Sequence, residues 1–263
     1  MTPTSLSFDQ AADFYDETRA LPGPIATDGI RTILEQLQGR AGPGAPLLEV
    51  GAGTGRIGLP LRARGANLVG VDLSARMLAR QRRKDPSAHV ARADATRLPF
   101  AAAQFDGLLT IHVLHLIGDW RAALREFRRV LRPGGIYVNS RRWHNPDDVE
   151  FRLSDFWHSR VEAHGANWRR PGLQPNEDAA EELGKLGAVV EQITPVRFFE
   201  SVTPQSVVDG VASRVDSDSW AVPDDVFDQT LAELRAWAAH EFDDLAQPVT
   251  VERRFMLDVA RFE

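Results

Sequence analysis

Leu47-Leu48-Glu49-Val50-Gly51-Ala52-Gly53-Thr54-Gly55-Arg56 is the stretch on which the reading of this chain turns. Three apolar residues and one acid run into glycines at alternate positions, and residues 57–61 then begin a helical apolar pattern. The pattern predicts a strand, a tight turn and a helix. Glycine is needed in such a turn where φ is positive, and where a ligand has to approach the main chain without meeting a Cβ. The N–H groups of the first helical turn face that ligand and favour its negative groups.

Working outward, residues 67–72 form an apolar strand ending in Asp72, and Ser74 caps a helix that runs to about residue 84. A third strand over 89–92 ends in Ala93-Asp94-Ala95, residues 98–104 are a loop, and 105–110 a fourth strand. Asp119 caps a helix over 120–131 that stops at Pro133-Gly134-Gly135, before a fifth strand at 136–140. On the other side, residues 8–20 read as a short amphipathic helix stopped by Leu21-Pro22-Gly23-Pro24, and 25–37 as a second helix before a Gly/Pro-rich linker at 39–46. Strands alternating with helices at this spacing predict an α/β fold with a doubly wound, mostly parallel sheet. Ligands in such sheets bind at the carboxyl ends of the strands.

The C-terminal half is less regular. Helices are expected at 147–165, at 176–186 with Asn176 as cap, from Thr203-Pro204 onward, and at 224–244; strands are expected at 188–199 and 251–262. A length of 263 residues, 43% hydrophobic, is ample for one large domain with an appended lobe. A net charge of −6 gives the whole molecule no footprint for nucleic acid or an anionic membrane, and the basic runs at 80–84 and 125–129 read as solvated helix faces. The absence of cysteine excludes disulfides, thiolate metal sites and cysteine nucleophiles, and suits a reducing cytoplasm. Residues 1–10 lack the basic flank and apolar core of a signal peptide, and no run approaches a membrane span.

Asp72 lies 17 residues after Gly55, close to the spacing at which a carboxylate meets ribose hydroxyls when a nucleoside lies across the sheet. Read structurally, it is an acid at a helix start beside Ser74. Asp94 is a second such acid. Gly53-Thr54-Gly55-Arg56-Ile57-Gly58 formally satisfies the dinucleotide pattern G-x-G-x-x-G. Against that stands Glu49, which would repel a pyrophosphate and better suits a ligand with a cationic amino group.

Glu49-Val-Gly-Ala-Gly-Thr-Gly55, Val71-Asp72-Leu-Ser74, Ala93-Asp94-Ala95, Leu98-Pro99-Phe100 and Leu131-Arg-Pro-Gly-Gly135 together resemble the successive motifs of the class I S-adenosylmethionine-dependent methyltransferases, in their small-molecule, type 11-like branch. The resemblance covers about residues 8–141. It implies a seven-stranded Rossmann-like sheet whose last strand is antiparallel, with helical insertions at 142–175 and 203–247 forming a substrate lid. The cofactor domain is then 41–141, 176–202 and 248–263, and residues 1–40 supply helices that close over the cofactor. Gly51, Gly53 and Gly55 would pass under its methionine part, Asp72 would hold the ribose, and Asp94 and Ala95 would face the adenine. Glu49, Ala52, Thr54, Leu73, Met77, Thr96, Thr110 and His112 complete the cofactor surroundings that the resemblance implies, and Tyr15 and Arg19 sit in the closing lead-in. S-adenosyl-L-homocysteine would be the product, with no metal required.

The acceptor is expected to be a small organic molecule, approached from the segment after the fourth strand. Histidine is the natural base near neutral pH, and His112 and His115, three apart, would share one side of a helical turn. His115, Trp143, His144 and Trp157 are the expected acceptor contacts; His158, beside Trp157, is a further candidate. RNA methylation and a non-catalytic S-adenosylmethionine-binding role are the alternatives, and a nicotinamide-dependent dehydrogenase stands further off.

Overall fold

The structure is a computed structural model that describes residues 4–39, 41–141 and 143–263; expected segments that begin or end at residue 1, 40 or 142 have those ends outside the described residues. Its helices are α1 (Tyr15–Thr18), α2 (Ile30–Gln38), α3 (Gly58–Ala63), α4 (Ala75–Lys84), α5 (Trp120–Val130), α6 (Val149–Ala163), α7 (Ala179–Lys185), α8 (Pro204–Ala212) and α9 (Asp224–Glu241). Its strands are β1 (Pro46–Val50), β2 (Asn67–Asp72), β3 (His89–Arg92), β4 (Phe105–Thr110), β5 (Leu131–Arg141), β6 (Ala188–Val202) and β7 (Val249–Phe262).

The apolar run of the organising stretch becomes the centre of the sheet. Leu47, Leu48 and Val50 are buried, as a strand covered on both faces requires, and β1 pairs in parallel with β2 on one side and β4 on the other. The seven strands lie in the order β3-β2-β1-β4-β5-β7-β6, with β7 antiparallel to β5. The expected doubly wound, mostly parallel seven-stranded sheet is therefore what forms. Its order reverses direction between β1 and β4, and the crevice at the carboxyl ends of those strands is where such sheets receive ligands. Leu48, Leu108, Leu124, Phe127 and Tyr137 are fully buried around this centre, each contributing roughly 1.5–3 kcal/mol.

The chain divides into two compact units, residues 1–142, 171–196 and 255–263 in the first and 143–170 with 197–254 in the second. Within the second unit, Val149, Leu153, Trp157 and Val161 recur every four residues along α6 and pack with Phe227, Leu231, Leu234 and Ala238 of α9. Residues 171–175 fall in the first unit, while residues 197–202 of β6 and 249–254 of β7 fall in the second.

Several elements depart from the sequence expectation. The helix expected at 8–20 is broken into a 3-10 turn, Asp9–Ala11, and α1, because Phe14 (φ −115°, ψ 1°) leaves the helical region and tertiary ion pairs along this segment override its propensity. The helix expected at 25–37 opens on a π-turn, Ile25–Gly29. Strand β5 starts at Leu131 rather than 136. Its partner jumps from Phe105↔Leu131 to Gly107↔Ile136, so that Pro133 and Gly134 (φ +76°) bulge out of the ladder. Asp178, not Asn176, caps α7: its carboxylate accepts from the Ala180 N–H at 2.8 Å, and residues 174–177 are taken up by a turn of their own. The helix expected from Thr203-Pro204 forms as α8, and Thr203 caps it in a capping box with Ser206.

Candidate functional site

All three glycines of the turn adopt positive φ, but a side chain would meet different surroundings at each. A Cβ at Gly51 would lie 2.3 Å from a methyl of Val113, and one at Gly55 2.6 Å from Leu59, so these positions let neighbouring segments close onto the turn. At Gly53 the nearest side-chain atom would be Met77 Cε at 3.6 Å, in otherwise open space. Gly53 is thus the position where the backbone is bare toward a ligand.

Asp72, at the end of β2, is held against that turn. Its Oδ2 accepts from the Gly53 N–H and its Oδ1 from the Ser74 N–H, each at 2.8 Å, leaving further acceptor capacity on both oxygens. Burial pushes this carboxyl above its ordinary value, against the pull of the two amides. Glu49, near the end of β1, is 3% exposed; its Oε2 lacks a hydrogen-bond partner and lies where a Cβ on Gly58 would meet it at 2.2 Å. Burial raises its pKa to about 8, reinforced by the Asp72 charge and opposed by the Arg56 guanidinium and the Gly58 amide. An orphaned buried carboxylate oxygen, a pinned carboxylate and an uncovered glycine fit a nucleoside that carries a cationic amino group.

The N-terminal segment is fastened to the same turn. Thr54, fully buried, donates from Oγ1 to Asp16 Oδ1 at 2.5 Å, and its carbonyl accepts from Lys84 Nζ at 3.0 Å. Arg56 donates to the Arg19 carbonyl at 3.2 Å and lies over the Tyr15 ring. Asp9 accepts from Ser74 Oγ at 2.5 Å, while Asp13 pairs with Arg76 and Arg80. Arg80 and Lys84 are therefore ion-pair partners rather than a solvated face. Likewise Arg129 of the other basic run pairs with Glu126 and donates to the carbonyls of Leu98 and Phe100.

The remaining expected cofactor residues lie along this edge in different states. Ala52 is buried, its N–H donating to the Val71 carbonyl. The Leu73 carbonyl accepts from Arg92. At the end of β3 the Ala93 N–H donates to the Asp72 carbonyl, and Asp94 folds Oδ1 back onto the Thr96 N–H and hydroxyl at 2.8 Å, with Ala95 between them. Thr110 is turned inward instead. It is fully buried, and its hydroxyl shares hydrogen bonds with Tyr137 and Asn139, so its side chain specifies the core rather than facing a ligand.

His112 and His115 do not share a helical side. His112 is exposed with φ +58° and its N–H donates to Ser140 Oγ at 2.7 Å; His115 follows in a 3-10 turn, Leu114–Leu116. Backbone carbonyls of Leu114 and His115 accept from Leu173 and Gly172, where a Cβ on Gly172 would lie 2.2 Å from the Leu114 carbonyl oxygen. In the second unit, Trp143 lies under the Arg254 guanidinium and the exposed His144 lies against Phe151. Trp157 is 2% exposed, with its indole N–H on Thr230 Oγ1; it packs in the core of the second unit and borders a small cavity lined also by His158, Asp216 and Asp218. His158 stacks on Trp168 and bonds to Asp218.

Sequence reasoning missed Asp16, Asp9 and Lys84 as parts of this site. The signal was present as acids at 9, 13 and 16 facing bases at 76, 80 and 84, both at helical spacing, but their pairing is tertiary. Among the described residues no group of three or more His, Asp and Glu could hold a metal ion, and no helix is long and apolar enough to cross a membrane.

Residues 48–139 match the family model described as a methyltransferase domain. The chain is 36% identical over 133 residues to the demethylmenaquinone methyltransferase of Beutenbergia cavernae, an alignment covering 50% of this chain and 54% of that protein. It is 33% identical over 136 residues to the malonyl-[acyl-carrier protein] O-methyltransferase of Serratia marcescens, covering 51% and 50%. The chain spans about half the length of the curated relatives it matches. Among solved structures, the YcgJ protein of Bacillus subtilis is similar in fold, with TM-score 0.60 and 17% identity over 89% of this chain and 97% of that one. Residues 48–139 thus match a methyltransferase domain, and the sheet has the fold of solved proteins such as YcgJ.

Proposed function

We propose that the protein transfers a methyl group from S-adenosylmethionine to a small organic acceptor. The observation that carries this reading is the buried Glu49 with its unpartnered Oε2 near the end of β1, together with a glycine open to a ligand in the turn that follows and an Asp72 carboxylate fixed by two amides. The bound cofactor would supply a methyl on positively charged sulfur, already activated for in-line displacement. Asp72 would accept from the ribose hydroxyls, Glu49 would take the amino group, and the Asp94–Thr96 turn would receive the adenine. The chain's contribution to the rate is then proximity, orientation and exclusion of water. His112 or His115, on the segment after β4, would take a proton from the acceptor. Trp143 and His144 are the first candidates for acceptor contacts, and a cytoplasmic location is part of this proposal.

The test is turnover of methyl-labelled S-adenosylmethionine against a metabolite extract, with the labelled product identified. Label recovered in a small molecule supports the proposal. Label recovered in RNA makes the acceptor a macromolecule, and S-adenosylhomocysteine binding with no transferred label makes the protein a binder that acts on a partner.

A further inference from the structure

We infer that Asp16, paired with Lys84, is a positioning residue for the glycine turn, holding Thr54 so that the backbone of residues 53–55 is set for the ligand. Thr54 sits between Gly53, which is bare toward the ligand, and Gly55, which is packed against Leu59. It is fully buried, and both its polar handles go to this one ion pair: the hydroxyl to Asp16 at 2.5 Å and the carbonyl to Lys84 at 3.0 Å. A Lys84–Asp16 contact of 2.7 Å closes the triangle. Three segments distant in sequence, α1, the turn and the end of α4, are thereby joined at one residue.

The orientation of the peptide planes on either side of Thr54 follows from its φ and ψ, so fixing its side chain and its carbonyl fixes where the neighbouring N–H groups point. The Gly53 N–H, which holds Asp72, belongs to the preceding peptide plane, so the constraint reaches that carboxylate through the φ and ψ of Gly53, while the Gly55 N–H is turned back onto the Ala52 carbonyl. Asp16 and Lys84 are about one third exposed, which makes the pair stronger than a surface one yet still open to screening. Asp13 provides a comparison, coupled to Asp16 only at second hand through Arg80, which lies 3.2 Å from Asp13 and 4.0 Å from Asp16. It ties the same N-terminal segment to Arg76 and Arg80 but makes no contact with the turn.

Two measurements test this, one of which is independent of the proposed function. In the ligand-free protein, amide hydrogen exchange over residues 50–58 should quicken in Asp16→Asn, Lys84→Met and Thr54→Val, stay close to wild type in Thr54→Ser, and stay unchanged in Asp13→Asn, with exchange in β1 and β4 reporting that each variant is folded. The second measurement rests on the cofactor assignment. S-adenosylhomocysteine should bind about tenfold more weakly to each of the first three variants, and the Asp16→Asn/Lys84→Met double variant should be no worse than either single one. Raising KCl from about 50 to about 500 mM should weaken binding to the wild type more than to the double variant. Unchanged turn exchange in Asp16→Asn, or an equal effect from Asp13→Asn, overturns the positioning role. Should the turn respond as expected while even the wild type fails to bind S-adenosylhomocysteine, the positioning role stands and the cofactor assignment falls.

Discussion

Glu49→Gln should move fold stability and ligand affinity in opposite directions. The wild-type carboxyl is buried and its pKa is raised from 4.5 to about 8. A raised carboxyl holds its proton in the folded state where the unfolded chain has already lost it. Its contribution to stability is therefore greatest below pH 4.5, declines as pH rises toward 8, and is constant again above that. Each unit of that window is worth about 1.4 kcal/mol, so the full cost approaches about 5 kcal/mol above pH 8. Glutamine keeps the shape without the titration. The variant should thus gain on the wild type by about 1.4 kcal/mol, or about 2–5 °C in Tm, for each pH unit between 5 and 8. The orphaned Oε2 predicts the reverse for binding. Loss of a charge-assisted contact to a cationic amino group should weaken S-adenosylhomocysteine by roughly 1.5–3 kcal/mol, or about 10–150-fold. Scanning calorimetry across pH 5 to 9 and titration calorimetry at pH about 9, where the carboxyl is ionised, suffice. A Tm difference that does not vary with pH would refute the burial argument; unchanged affinity would refute the role given to Oε2.

S-adenosylhomocysteine at a hundredfold excess over Kd should stabilise the wild type by about 2.7 kcal/mol, whereas NAD should not, and thermal melting separates the two. Asp72→Ala should remain folded and bind the cofactor roughly 1.5–3 kcal/mol more weakly, since it deletes the carboxylate that Gly53 and Ser74 hold in place; equal affinity removes the ribose assignment. Gly51→Ala should lower stability by more than about 2 kcal/mol through collision with Val113, while Gly53→Leu should abolish cofactor binding at a smaller stability cost, a contrast read by pairing melts with titrations. Trp157→Ala should cost about 3–5 kcal/mol of stability as a core deletion, and a variant that stays as stable as wild type but loses acceptor affinity assigns it to the acceptor site.

The sheet and its ligand edge were legible because each strand announces itself twice, by an apolar run and by the residues at its carboxyl end: glycines after Val50, an acid closing β2 and another after β3. The distal start of β5 was hidden, because its first residue pairs across a bulge and nothing local marks a register jump. The histidine pair misled for a related reason. Spacing of three has meaning on a helix, and His112 is held in a left-handed conformation ahead of the turn that carries His115. Trp157 was read by its type, as an aromatic in a lid, when its period was more informative: positions 149, 153, 157 and 161 mark one buried stripe. Asp16 and Lys84 stand 68 residues apart. No local rule joins them, although their segments were each identified.

The positive φ of His112 changes how this position should be probed. Three non-glycine residues in the described chain adopt such a φ, and His112 is the one placed at the carboxyl edge of the sheet. The backbone there favours glycine by about 1 kcal/mol over a residue bearing a Cβ, so alanine removes the imidazole while retaining the conformational cost. Alanine and glycine variants therefore measure different quantities. Activity lost in both belongs to the ring; activity lost in alanine but kept in glycine belongs to the course of the main chain. An alanine scan alone would merge the two into a single number, and at this residue the glycine variant is the control that separates them.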